Sequence, residues 1–200
     1  MSKGKKTKER ILQQAAELFN QYGYHGSSIS DIMQVTGLKK GGIYNHFQSK
    51  DEIALLAFDY AVSCVQKHYL GVLRNKRHAV ERLQAIIGAF STYMDNPVIK
   101  GGCPLLNTAV ESDDTHPQLR ERTQKAMNAW RTLIVRIIDK GIARDEIKAD
   151  VDPDEAATIM ISILEGSLMM SKLYGDMIYI NRGINHLHRY IKNDIALSKT

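Results

Sequence analysis

The segment LKKGGIYNHFQSKDEI, residues 38–53, carries the side chains best suited to binding a polyanion. Two adjacent glycines, Gly41 and Gly42, stand where a short helix is predicted to begin, although glycine costs a helix interior about 1 kcal/mol relative to alanine. Glycines there remove side-chain bulk that would hold the backbone away from a ligand, and free amides at a helix start favour anions. Cationic and hydrogen-bonding side chains flank them: Lys39, Lys40, Tyr44, Asn45, His46 and Lys50. The competing interpretation is a glycine-rich turn between two structural helices.

The positive charge of the chain is concentrated at the same end. Residues 1–50 contain eight Lys and Arg against three Asp and Glu, whereas residues 51–200 contain 19 of each sign, so the whole excess of +5 lies in the first quarter. Such a local excess indicates that the N-terminal region meets a polyanion. A basic tail such as the one that includes Lys6 is, by the alternative interpretation, only solvated.

Several classes of protein do not fit the sequence. Cys64 and Cys103 form no CxxC pair and no disulfide framework, and the seven histidines are scattered, so we expect no metal site and no cofactor. No local Ser/His/Asp or Cys/His set and no nucleotide-binding loop indicates an enzyme. The longest apolar runs, such as residues 159–164, are too short for a membrane span of about 20 residues. The basic N-terminus lacks the apolar stretch of a signal peptide, and we expect a cytoplasmic protein.

Hydrophobic periodicity predicts an all-α protein. Ser28 with Asp31, and Ser49 with Glu52, have the spacing of capping boxes. The predicted helices cover about residues 7–20, 28–35, 40–47, 49–73, 78–94, 103–111, 117–143, 153–174 and 177–196. The short second and third helices predict a helix-turn-helix unit. We therefore expect a helix-turn-helix unit at the N-terminal end of the chain, followed by a region of longer helices.

The stretch GYHGSSISDIMQVTGLKKGGIYNHFQSKDEI, residues 23–53, resembles the DNA-binding segment of the TetR family of bacterial transcriptional repressors. The resemblance implies a three-helix DNA-binding domain over residues 1–50, a linker helix from about residue 51, and a larger all-helical effector-binding and dimerisation domain over residues 51–200. It also implies that Lys40 and Gly41 approach bases, and that Tyr44, His46 and Lys50 bind phosphates. Two positions depart from the family pattern. Lys39 replaces the usual Ser or Thr cap of the recognition helix, and Gly42 replaces a residue that is often polar.

Base recognition needs further polar side chains near the recognition helix. Ser30 and Gln34 on the second helix, and Asn45 on the third, are candidates, and asparagine pairs naturally with adenine. The predicted DNA-binding residues are Lys6, Ser28, Ser30, Gln34, Lys39, Lys40, Gly41, Gly42, Tyr44, Asn45, His46 and Lys50. We expect the partner to be a palindromic double-stranded operator.

Apolar stripes on the last two long helices have two interpretations. They form the core of the chain, or they face a second copy in a four-helix bundle. The resemblance implies a homodimer, and pairing two recognition helices defines a longer DNA site. The predicted interface residues are Ile159, Ile163, Gly166, Ser167, Ile184, Leu187 and Ile191.

Aromatic and sulfur-containing residues of the middle helices suit a mostly apolar pocket, so we expect a small apolar or aromatic effector. The candidate pocket residues are His68, Phe90, Tyr93, Met94, Cys103, Met127, Trp130 and Met170. Each, taken singly, also fits an ordinary core position. Cys103, at a helix start near Lys100, is either a reactive thiolate or a small buried residue.

These patterns together predict a homodimeric repressor that leaves its operator when a small molecule binds. The alternative is a DNA-binding protein of the same fold without an effector, acting through protein partners or DNA occupancy.

Overall fold

The computed structural model describes residues 3–93 and 95–197 and, within them, contains no strand, so the all-α prediction is confirmed. The helices are α1 (Lys3–Tyr22), α2 (Ile29–Thr36), α3 (Lys40–Tyr44), α4 (Lys50–Leu73), α5 (Ala79–Ala89), α6 (Pro104–Ser112), α7 (Pro117–Ile142), α8 (Pro153–Tyr174) and α9 (Ile178–Tyr190). A 3₁₀ turn, Phe90–Thr92, follows α5, and a π-helical turn, Ile191–Ile195, follows α9.

The third helix is shorter than its sequence pattern predicts. It ends at Tyr44 rather than near Phe47, and the amide of Asn45 donates to the carbonyls of Gly41 and Ile43. The chain stays tightly wound beyond the helix, because the amide of Phe47 donates to the carbonyl of Ile43 at 3.2 Å. The two glycines explain the short helix, since each lowers helix propensity.

A capping box fixes the start of α2. The amide of Asp31 donates to the Ser28 hydroxyl at 3.2 Å, and the amide of Ser28 donates to the Asp31 carboxylate at 2.7 Å. The Ser28 side chain and amide hold the pKa of Asp31 below its ordinary value, because both hydrogen bonds favour the ionised carboxylate. Gly37 ends α2 in the left-handed conformation, with φ of 67°, which glycine adopts without steric cost.

One compact unit consists of the described residues up to Gln66 together with Val98–Ala126. Its core joins α1, α2, α3, the beginning of α4 and the segment before α6. The fully buried side chains at its centre include Ile11, Ile32, Ile43, Phe47 and Ile53. Burying each of them contributes about 2 kcal/mol.

A second compact unit consists of Lys67–Pro97 and the described residues from Met127 onward. Within it α8 and α9 pack closely at Gly183, where an added Cβ would lie 2.1 Å from the Ser167 hydroxyl oxygen. The Ser171 hydroxyl accepts a hydrogen bond from the amide of Ile180 at 2.9 Å and fixes the turn between the two helices. The functional boundary expected near residue 50 stays a prediction.

The capping box gives a test of local stability. Replacing Ser28 by alanine leaves an amide at the start of α2 without its side-chain acceptor, so the free energy of unfolding should fall by about 1 kcal/mol. The urea midpoint followed by circular dichroism measures the loss. Ser30→Ala is the matched control, because Ser30 is exposed within the same helix and caps nothing. Equal losses in both variants would contradict the assigned role of Ser28.

Candidate DNA-binding surface

The inner side of α3 and of the turn that follows it, residues 40–47, packs against the rest of the first unit. Ile43 and Phe47, four residues apart, are 0% and 2% exposed and pack against α1 and α2. This burial leaves the opposite side of the segment facing solvent. The side-chain orientation therefore follows from a short apolar stripe, as helical spacing predicts.

The outer side presents the polar residues that the sequence singles out. Lys39, Lys40, Gly41, Tyr44 and Asn45 are all exposed. The Lys40 ammonium lies 5.9 Å from the centre of the Tyr44 ring, and an added Cβ at Gly41 would meet no atom within 4 Å. Cation, aromatic hydroxyl and open backbone thus lie together on one exposed surface.

The start of α3 differs from a side-chain-capped helix. Lys39 occupies the N-cap position with extended backbone, φ of −75°, and makes no side-chain cap. Its ammonium, like that of Lys6 and Lys40, forms no ion pair within the part of the chain that the structure describes. These cations are consequently available to an external anion.

The second helix adds two exposed polar residues, Ser30 and Gln34. Ser28 is also exposed, but its hydroxyl is engaged in the capping box. Gly42 is half-buried, with an added Cβ placed 3.6 Å from that of Leu38. Of the two glycines, Gly41 is the one that leaves the backbone open.

Lys50 is held in place by an aromatic ring. Its ammonium lies 4.0 Å from the centre of the Tyr24 ring, and the Tyr24 hydroxyl donates to the carboxylate of Asp51. Burial, together with that hydrogen bond and the carboxylate charge, raises the pKa of Tyr24 to about 12. Tyr24 therefore stays neutral and keeps Lys50 oriented at the start of α4. His46 is half-buried, and its ring packs edge-on against Phe47 at 6.4 Å between centres.

The loop between α1 and α2 is fastened to α6 by one carboxylate. Glu111 accepts hydrogen bonds from the amides of Tyr24 at 2.8 Å and His25 at 3.0 Å. The space beside it requires glycine, because an added Cβ at Gly23 would lie 2.6 Å from a Glu111 oxygen, and the backbone there has φ of 77°.

Two asparagines make a second link between α1 and α6. The Asn20 amide donates to the carbonyls of Lys100 and Gly102 at 2.8 and 2.9 Å. The Asn107 amide donates to the Asn20 side-chain oxygen at 2.9 Å and to the Gly101 carbonyl at 3.0 Å. Sequence reasoning missed these residues and Glu111, since their partners lie about 80 residues away and leave no local pattern.

In the second unit, four aromatic side chains lie together. The Trp130 ring is stacked on Phe90, with 5.7 Å between centres, and near Tyr69 at 6.2 Å, while Phe90 stacks on Tyr93 at 4.9 Å. The His68 ring meets Tyr69 edge-on at 5.9 Å. We call these five residues the aromatic cluster.

The remaining predicted pocket residues differ in exposure and position. Met127 is half-buried on α7, and Met170 is 38% exposed on α8. Cys103 belongs to the first unit, where it is 2% exposed as the N-cap residue of α6. A reactive thiol needs solvent access, so this burial favours a packing role. Met94 lies outside the described residues.

The predicted interface residues divide into two groups. Leu187 and Ile191 are 0% exposed and Ile184 is 9% exposed, so these three side chains pack inside their own chain. Ile159, Ile163, Gly166 and Ser167 are half-buried. Larger apolar surface remains along and just beyond the end of α8: Met169, Met170, Leu173, Tyr174 and Ile178.

Two further findings bear on the class of protein. By length and composition alone, α8 is the one helix among the described residues that could cross a membrane. Its apolar composition is equally typical of a helix that packs against others, and part of it is buried here. Within the residues described, no group of three His, Cys, Asp or Glu is arranged to hold a metal ion.

Comparison with protein families assigns both ends of the chain. The family model described as "Bacterial regulatory proteins, tetR family" matches residues 11–57. The model described as "Tetracyclin repressor-like, C-terminal domain" matches residues 79–187. The chain belongs to the TetR family of transcriptional regulators and carries the helix-turn-helix DNA-binding segment of that family. Such regulators bind DNA, act as dimers and are typically cytoplasmic and not enzymes.

Individual relatives agree with this assignment. A TetR transcriptional regulator from Chloroflexus aurantiacus is 44% identical, with 99% of this chain and 100% of that one covered and a TM-score of 0.96. The transcriptional repressor DhaR from Mycobacterium sp. strain GP1 is 25% identical over 167 residues, covering 83% of this chain and 82% of the relative. A regulator from Saccharomonospora viridis, solved in complex with choline, is 25% identical, with 96% and 98% covered and a TM-score of 0.81.

The Glu111 link is testable without any ligand. In Glu111→Ala the amides of Tyr24 and His25 lose their acceptor, so their hydrogen exchange should accelerate by about tenfold or more, as expected for loss of hydrogen bonds to a charged group. Exchange followed by NMR measures this. Asp114→Ala removes the same charge just after α6 and should leave both amides protected. Unchanged exchange in Glu111→Ala would show that the carboxylate does not hold the loop.

Proposed function

We propose that the protein represses transcription by binding a palindromic operator as a homodimer, and that a small effector releases it. The observation that carries the proposal is the set of exposed polar residues on and beside α3, where Lys39 and Lys40 form no ion pair within the described residues, over a fully buried anchor of Ile43 and Phe47. A short segment held rigidly from beneath is the geometry that places side chains in a major groove. Cytoplasmic location follows from the need to reach DNA.

The DNA contacts divide by chemistry. Lys40 and Asn45, with Ser30 and Gln34 on α2, are assigned to base edges, because amide and ammonium groups match the donor and acceptor pattern of the major groove. Phosphate contacts, which position the protein without reading the base sequence, are assigned to Tyr44, His46, Lys50, Lys39 and Lys6. Gly41 provides the close approach of the backbone.

Substitution separates these two roles. Lys40→Ala should weaken binding to an operator, selected by the wild-type protein from random duplexes, by about 1–3 kcal/mol more than it weakens binding to random DNA. Tyr44→Ala should weaken the binding of operator and random DNA alike, because a phosphate contact carries no sequence information. Lys50→Ala should weaken operator and random DNA alike and lower the salt dependence by about one phosphate per subunit. Fluorescence anisotropy at several salt concentrations measures both effects.

Lys67→Ala is the control for charge, since Lys67 is exposed on α4 outside the basic first 50 residues. It should behave like the wild type. Unchanged operator affinity in all three variants of the proposed surface would refute the assignment of α3 as the recognition helix.

The proposed dimer interface lies on the exposed face of α8. Ile159, Ile163, Gly166, Met170 and Leu173 follow one another at intervals of four, three, four and three residues, so they share a face. An added Cβ at Gly166 would meet no atom within 4 Å, which leaves room for a partner helix to approach closely. Ser167 faces Gly183 of the same chain, and Leu187 and Ile191 are buried, so these residues support the interface from within.

The dimer has a matched test. Leu173 is 72% exposed and Leu70, on α4, is 65% exposed, so a glutamate at either site disturbs little of the chain itself. Leu173→Glu should shift the sedimentation equilibrium toward monomer, because a charge is costly in an apolar interface. Leu70→Glu should remain dimeric. A stable Leu173→Glu dimer would place the interface elsewhere.

The effector site is proposed at the aromatic cluster. Tyr69, Phe90, Tyr93 and Trp130 offer flat apolar surface, which suits an apolar or aromatic molecule. The indole N–H of Trp130 and Nε2 of His68 are buried without a hydrogen-bond partner among the described groups. Since buried polar groups are normally paired, we infer that the effector also carries a polar atom that accepts from the indole.

Release requires that the effector bind the DNA-incompetent state more tightly, since equal affinity for both states shifts nothing. A coupling of about 1–3 kcal/mol corresponds to a 5–150-fold loss of operator affinity. Within the first unit, the hydrogen bonds of Asn20, Asn107 and Glu111 tie α6 to the helices that present the proposed DNA-binding surface, so the DNA-incompetent state is proposed to be one in which they are disturbed.

The effector hypothesis is tested by screening aromatic compounds that bear a hydrogen-bond acceptor. A true effector should quench or shift the fluorescence of Trp130, the single tryptophan, and lower operator affinity. Trp130→Phe keeps an aromatic ring but removes the N–H, so it should weaken the binding of that compound by about 1–3 kcal/mol. If no compound that binds changes operator affinity, the alternative of an effector-independent DNA-binding protein is favoured.

A further inference from the structure

The second unit contains a groove of about 470 Å³ between the beginning of α5 and the end of α7. Six of its lining side chains are cationic: Lys76, Arg77, Arg82, Arg136, Lys140 and Arg144. One carboxylate, Glu146, also lines it. The function proposed above makes no use of this groove, which is formed by residues outside the first 50.

The walls of the groove are fastened to each other. The amide of Ala79, the first residue of α5, donates to the Glu146 carboxylate at 2.6 Å. An added Cβ at Gly141 would lie 2.6 Å from the Ala79 Cβ, so glycine permits α7 to reach α5. The amides of Glu146 and Ile147 both donate to the Gly141 carbonyl, at 2.8 and 3.2 Å, and close the turn after α7. The groove therefore has a rigid frame.

The cations in this frame have no ion-pair partner among the described residues. The one hydrogen bond found for them there joins two residues of the lining, since the Arg82 guanidinium donates to the Lys76 carbonyl at 3.1 Å. Glu146, the one acid of the lining, already caps α5. Arg136 and Lys140 stand four apart on α7, a like-charge spacing that destabilises a helix. An anion in the groove would relieve this repulsion.

We propose that the groove binds a compact polyanion with at least two phosphate or carboxylate groups. Four of the six cations are arginines, whose planar forks pair with both kinds of group through two parallel hydrogen bonds. The volume lies within the range of small-molecule sites. Leu133 and Ile137, which also line the groove, supply an apolar surface for the rest of the ligand. A concave cluster favours a compact anion over duplex DNA, whose phosphates lie along a convex rod.

The test is calorimetric titration of the full-length protein at low ionic strength, where such contacts are least screened. Sodium tripolyphosphate and citrate are the probes for phosphate and carboxylate chemistry, and orthophosphate is the probe for a single group. We expect at least one of the two polyanions to bind with one site per chain, and orthophosphate to bind about tenfold or more weakly than it. The tighter of the two polyanions identifies the preferred group. Failure of both to bind the wild type would overturn the proposal.

Matched variants locate the site. Arg136→Gln combined with Lys140→Gln should lower the affinity for the polyanion about tenfold or more. Arg144→Gln, beyond the end of α7, should lower that affinity by a smaller factor. Lys67→Gln combined with Arg120→Gln removes the same charge from exposed sites outside the groove and should bind within about twofold of the wild type. Circular dichroism and thermal unfolding verify that each variant is folded. Equal weakening in the control pair would mean that net charge, not the groove, binds the anion.

A parallel measurement separates the groove from the DNA-binding surface. The Arg136→Gln, Lys140→Gln variant should bind random duplex DNA with the wild-type affinity and salt dependence. A loss of DNA affinity as large as that expected for Lys50→Ala would assign the groove to nucleic acid and overturn the proposal of a small polyanion.

Discussion

The proposed DNA-binding surface depends on the hydrogen bonds that join α6 to α1 and to the loop after it. Asn20 is 8% exposed, and its side-chain oxygen accepts from Asn107. Without Asn107 that buried oxygen would lose its partner, at a cost of about 1–3 kcal/mol. Glu111 holds the loop that leads into α2. Because α3 packs on α1 and α2 through Ile43 and Phe47, the hydrogen bonds that hold α1 and the loop before α2 also fix the position of α3.

The helices were largely predictable from the sequence because their signals are local. Ser28 and Asp31 form the capping box that their spacing indicates. Long-range features were not predictable. Glu111 meets amides 86 and 87 residues away, and nothing in its neighbourhood distinguishes it from a solvated helix end. Leu187 and Ile191 continue an apolar stripe, but such a stripe looks the same whether its own chain or a second copy covers it.

The positions of the charged surfaces were likewise only partly predictable from the sequence. The excess of +5 in the first 50 residues is visible in the sequence and points to the polar surface around α3. The basic groove is invisible to that count, because residues 51–200 carry equal numbers of both signs. Only the folding of α5 against α7 brings cations from two segments, such as Arg77 and Arg136, to one place, where six cations and a single carboxylate line the groove. Net charge reports composition, whereas binding depends on which charges share a surface.

The most direct measurement of the α6 constraint is the operator affinity of Asn107→Leu, which removes the polar link but keeps a side chain of similar size. Asn128→Leu, at an exposed position of α7, is the control. We expect Asn107→Leu to lose about 5–150-fold in operator affinity, which corresponds to about 1–3 kcal/mol for a buried polar group left without its partner, with the salt dependence and the random-duplex affinity little changed, since the lysines proposed to bind phosphates remain. Operator affinity equal to that of Asn128→Leu would contradict the claim that α6 holds the DNA-binding surface in place.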